Sequence, residues 1–210
     1  MSRARGVGEK FQTRALSKFV AALGSRTAPI VVDLGPAVGA NVMFLGERLG
    51  CILRVENLLA DKETWLPKLV DDDVEADENS HEPEPPQRTL RIESETVDGV
   101  LCWDIFDHLD QDGARALATE ITRVLKPGGV VFLCHRSEQC PVSGPGEYEV
   151  VDETTVRYRK GADAAPVERV WQSRDMTRMF DQLTVGDSFL LTSRMREILL
   201  KRSVVPTRAN

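Results

Sequence analysis

Four short and almost continuously apolar runs set the terms for this chain: residues 30–34, 51–55, 99–103 and 130–134. Each is too short for a helix and is bounded by turn residues, so each predicts a strand buried on both faces. The segments between them have a helical period. Residues 40–49 (ANVMFLGERL) carry Val42, Leu45 and Leu49 on one face, with Gly50 as a stop. Asp110 is placed to cap a helix bearing Ala114, Leu117, Ile121, Val124 and Leu125. Residues 9–23 put Phe11, Ala15, Phe19, Ala22 and Leu23 at helical spacing ahead of Gly24, and a further helix is expected around 60–70. Strands alternating with helices predict an α/β fold, with a doubly wound, mostly parallel sheet covered on both faces. The third strand of such a sheet is weakly written, since only TLRI (residues 89–92) shows a short alternation.

The last third reads differently. Residues 148–159 (YEVVDETTVRYR) alternate and predict an exposed hairpin. Residues 174–183 place Met176, Met179, Phe180 and Leu183 on one helical stripe. Residues 185–192 and 196–202 predict two antiparallel strands, and the chain from Ser203 carries no pairing signal. One domain over residues 1–202 is expected, with residues 136–172 as a substrate hairpin or lid that offers Arg136, Tyr148, Tyr158 and Trp171, and a disordered tail from 203 to 210.

Charge narrows the partners. The formal net charge of −6 is local: residues 71–86 hold eight Asp/Glu and no Lys or Arg, which leaves 27 basic against 33 − 8 = 25 acidic residues elsewhere. Three prolines and almost no apolar surface make this run a solvated insertion, and its charge disfavours nucleic acid as a partner. No apolar run approaches the roughly 18 residues that cross a bilayer. The first residues lack a signal-peptide core, so a cytoplasmic protein is expected. The four cysteines form no C-x-x-C pair and read as buried thiols; Cys102 and Cys134 come close if their strands are neighbours. No metal site is expected.

The functional signal is VVDLGPAVG, residues 31–39. At the carboxyl edge of a parallel sheet, the first strand-to-helix turn is a ligand crevice. Glycines there let a ligand approach bare backbone, and the helix starting near Gly39 points unpaired N–H groups at an anion. Glu56, seventeen residues further on at the end of the next strand, is placed to accept both hydrogen bonds of a ribose diol. These residues describe a nucleoside cofactor with an anionic group.

With RVEN ending the second strand, DGVLCWD on the fourth and VLKPGGVVFL leading into the fifth, the chain resembles the class I S-adenosylmethionine-dependent methyltransferases over roughly residues 10–135. The resemblance implies a seven-stranded sheet with an antiparallel last strand, S-adenosyl-L-methionine as cofactor and a small-molecule methyl acceptor. It implies that Asp33, Gly35, Pro36, Ala37 and Gly39 line the methionine part and that Glu56, with Asn57 beside it, binds the ribose. Cys102, Trp103 and Asp104 would lie near the methyl group. His108, close to Asp104 and Asp107, is the best-placed base among three histidines; the competing reading makes it part of the lead-in to the helix capped at Asp110. The chain departs from the family's pattern in having Ala37 for the middle glycine and no evident adenine contact. Those departures motivate a second reading, a non-catalytic methyltransferase-like module. A NAD-dependent oxidoreductase is a third, disfavoured because Ala37 and Ala40 stand where G-x-G-x-x-G needs glycine.

Overall fold

The computed structural model describes residues 8–60, 65, 88–137, 146–160 and 167–204. A six-stranded sheet organises them in the order β3-β2-β4-β5-β9-β8. Its strands are β2 (Ile30–Asp33), β3 (Ile52–Val55), β4 (Val97–Leu101), β5 (Leu125–Arg136), β8 (Leu183–Leu190) and β9 (Met195–Arg202). β2 pairs in parallel with β3 and β4, and β4 with β5. β9 is antiparallel to both β5 and β8, so β8 runs in the direction of β5 and the last strand alone is reversed.

The seventh strand is the main departure from expectation. Among the described residues TLRI is not a strand. Leu90 and Ile92 are instead buried beside α3 (Gln111–Val124), where Glu120 of that helix accepts the Leu90 amide and Arg123 donates to the Leu90 and Ile92 carbonyls. Carbonyls taken up by an arginine side chain are not available to a strand ladder. The acidic run 71–86, most of the helix around 60–70, Cys140 and the residues after 204 lie outside the described segments. Ser203 donates to the Gln182 carbonyl at 3.3 Å, so the chain is still bonded at that point.

Local chemistry explains the other elements. Helix α2 (Gly39–Leu49) ends at Gly50 in the left-handed region (φ 55°), a conformation without cost only for glycine. Asp110 caps α3 as expected, its side chain accepting the Gly113 amide. Helix α1 is shorter than its spacing suggests: it covers Ala15–Leu23, while β1 (Glu9–Gln12) is a strand and takes Phe11 with it. The stripe at 174–183 likewise yields only α4 (Ser173–Arg178), because Leu183 already opens β8.

The hairpin forms as β6 (Gly146–Asp152) and β7 (Thr155–Lys160), and it is not exposed. With β1 it makes a second sheet, β1-β7-β6, whose Tyr148, Val150 and Val156 are buried. Asn41 of α2 joins the two sheets, its amide donating to the Tyr148 carbonyl and its oxygen accepting the Val150 N–H, both at 2.7 Å. Cys102, just after β4, and Cys134 of the neighbouring β5 are both buried, but in the cores on opposite faces of the large sheet. No helix among the described residues is long and apolar enough to cross a membrane.

Candidate functional site

The chain order reverses between β2 and β4, and the carboxyl ends of these strands meet the turn into α2. β3 is held beside this turn past its last residue: Glu56 N donates to the Asp33 carbonyl (2.8 Å) and Leu58 N to that of Leu34 (3.0 Å). Gly35, Gly39, Glu56 and Asn57 are therefore brought to one edge, as the sequence predicts.

The two halves of this edge differ. At Gly39 nothing lies within 4 Å of where a Cβ would stand, and Val38, the N-cap of α2, caps the helix with no side chain. At Gly35 the same construction meets Trp103 Cδ1 at 2.7 Å. The indole approaches the bare backbone there. Trp103 Nε1 donates to Asp33 Oδ1 at 2.8 Å, the ring stacks on Tyr148 (centroids 5.1 Å apart, planes at 4°), and only 3% of the residue is exposed. Burial pushes the Asp33 carboxyl up to about 6, against the downward pull of the Gly35 amide, Trp103 and Asn41.

The remaining site residues are placed as follows. Glu56 Oε1 lies 3.3 Å from Arg54 Nη2 in a partly exposed pair, worth little in water. Cys102 is fully buried in the core, where burial first and the charge of Asp33 second hold its thiol well above the ordinary range. Asp104 and His108 are both buried; His108 Nε2 stands 3.7 Å from Asp104 Oδ2. Arg136, which sequence reasoning assigned to a lid, instead sits between two buried carboxylates, 2.9 Å from Asp104 and 3.4 Å from Asp107. Asp107 also accepts the Arg136 amide, and burial together with the Asp104 charge raises its pKa well above the carboxylate range. Trp171, a second lid residue, is buried with its Nε1 on the Phe106 carbonyl. No group of three or more potential metal ligands occurs among the described residues.

Sequence reasoning missed Asn41 and misplaced Tyr148. Tyr148 is expected in a lid and Asn41 only on a helix, and nothing local announces that they meet. The run of apolar residues through Trp103 was legible, but the direction of its side chain was not.

A sequence model of the family described as "Methyltransferase domain" matches residues 67–133, about a third of the chain. No curated protein matches. Among solved structures, a chain of the complex between the Haloferax volcanii Trm112 methyltransferase activator and a methyltransferase is similar, with 15% identity and a TM-score of 0.50 over 89% of this chain and 88% of that one. An S-adenosylmethionine-dependent methyltransferase from Aquifex aeolicus gives 14% identity and a TM-score of 0.49 over 90% and 89%. The Burkholderia thailandensis 1,6-didemethyltoxoflavin-N1-methyltransferase gives 14% and 0.49 over 90% and 77%. At these identities the likeness concerns the fold. The central third of the chain thus matches a methyltransferase-domain pattern, and the architecture of the whole is similar to the α/β fold of the Haloferax volcanii complex.

Proposed function

We propose that this domain transfers the methyl group of S-adenosylmethionine to a small-molecule acceptor at the carboxyl edge of β2, β3 and β4. The observation that carries the reading is the open N-terminus of α2 at Gly39, beside Glu56 and Asn57, which directly follow β3. Unpaired amides at a helix start suit a carboxylate, and Glu56 suits a ribose diol. The residues fit the cofactor on the ribose side. On the side of Asp33 and Gly35 they fit it only once the Trp103 indole has moved.

The bound cofactor supplies an activated methyl group. The chain's own part is to hold the acceptor in line with it and to exclude water, so no covalent nucleophile is needed. An acceptor that loses a proton calls for a base. Asp104 and His108, both buried, are our candidates.

The packed indole favours a second reading, a module that keeps the fold and binds no cofactor. Calorimetry with S-adenosylhomocysteine on the wild type, Trp103→Ala and Glu56→Ala, with NAD as control, separates the two. Methyl transfer predicts micromolar binding by the wild type, with a change in tryptophan fluorescence. It also predicts tighter binding by W103A, at least tenfold weaker binding by E56A, and no heat from NAD. Absence of binding in both wild type and W103A overturns the cofactor reading and leaves the module.

A further inference from the structure

A cavity of about 350 Å³ lies at the far end of the same sheet edge, between the β8–β9 turn and residues 170–173. Its lining includes His135, Trp171, Ser173, Leu190, Arg194 and Arg196. Antiparallel pairing places Arg196 directly across from both His135 of β5 and Leu190 of β8, so these three side chains share a face. Arg194 comes from the turn itself, held at φ 64° while its carbonyl accepts the Ser137 amide (3.1 Å) and hydroxyl (2.6 Å). Among the described residues no carboxylate stands within ion-pair distance of Arg194 or Arg196, in a chain whose other arginines are mostly paired.

His135 decides what the cavity can do. It is buried, its Nδ1 is 3.1 Å from the Arg136 carbonyl, and its Nε2 is 3.2 Å from Ser173 Oγ. A carbonyl only accepts, so Nδ1 carries the proton and the Ser173 hydroxyl donates to Nε2. This resembles an activated serine in outline. Burial, with Arg196 alongside, lowers the His135 pKa to about 4, however, and so weak a base extracts little from a hydroxyl at neutral pH. The pair is a fixed polar wall. Val170, Leu190 and the Trp171 ring supply the apolar lining, and Trp171 is fixed by its Nε1 bond and by Arg169 stacked at 4.9 Å.

We propose that this cavity is a binding site for a small organic anion, a carboxylate or phosphate carried on an apolar body. The two guanidiniums take the anionic group in forked hydrogen bonds, and the Trp171 side takes the body. The inference does not depend on the methyl-transfer reading, since the titration needs no cofactor.

The test is calorimetric titration of the whole chain with benzoate, phenyl phosphate and neutral benzamide at low salt. Saturable binding of at least one anion is expected, with benzamide at least tenfold weaker. The Arg194→Gln/Arg196→Gln double variant, checked for folding by its melting temperature, should lose at least tenfold in affinity, while Arg115→Gln keeps it. The tighter of the two anions identifies the head group. No saturable binding of either anion up to about 10 mM, equal binding of benzamide, or affinity kept in the double variant would each overturn the proposal.

Discussion

Trp103 holds a backbone φ of 43°, a region that a bulky residue enters only when its surroundings fix it there. Three contacts do so: the Asp33 carboxyl, the Gly35 backbone and the Tyr148 ring. Gly35→Ala would drive a methyl into Cδ1 and is expected to cost about 1–3 kcal/mol in chemical denaturation. Two buried titrating groups pull stability in opposite directions with pH. The Asp33 pKa is raised from 3.8 to about 6, so the folded state holds the extra proton and stability falls as pH rises across that window, by about 3 kcal/mol. The His135 pKa is lowered from 6.5 to about 4, so the unfolded state holds the extra proton and stability is lost as pH falls. The two slopes oppose each other between about pH 4 and 6. Relative to the wild type, Asp33→Asn should tilt the profile toward stability that climbs with pH, and His135→Asn toward stability that declines; denaturation midpoints measured from pH 4 to 7 check both. Identical profiles in all three proteins would refute the assignment.

At the scale of elements, α1 begins without a capping side chain of its own. Glu197 of β9 does the capping from 182 residues away: it accepts the Arg14 and Ala15 amides at 2.8 Å and the Thr13 hydroxyl at 2.5 Å. A carboxylate on the first free amides also meets the positive end of the helix. Glu197→Ala is expected to destabilise by about 2 kcal/mol and Glu197→Gln by less, measured in urea. Asp110 works within its own element, and Asp110→Ala should cost about 1 kcal/mol. The comparison separates a cap legible in sequence from one that is not.

For the whole molecule, the decisive joint is between the two sheets. Asn41 completes the backbone bonding of β6 as a strand would, and Tyr148 carries the small sheet onto the indole that lies over the crevice. Removing the amide leaves one donor and one acceptor buried without partners. Asn41→Ala should therefore speed hydrogen exchange at the β6 amides while those of β4 and β5 stay protected. Uniform loss of protection would mean that the two sheets unfold as one.

Alternation of apolar strand runs with helical periods, the glycine at 50 and the aspartate at 110 act within a dozen residues. For that reason the sequence alone determined the parallel sheet, its order of elements and the placing of the 33–39 turn beside Glu56. It could not decide which side chains fill the crevice. Trp103 meets partners 70 residues before it and 45 after it in the chain, TLRI loses its carbonyls to Arg123, and His135 finds Ser173 only across the folded edge. Tertiary packing settled these, because the energy that directs a buried side chain comes from neighbours that no local period encodes.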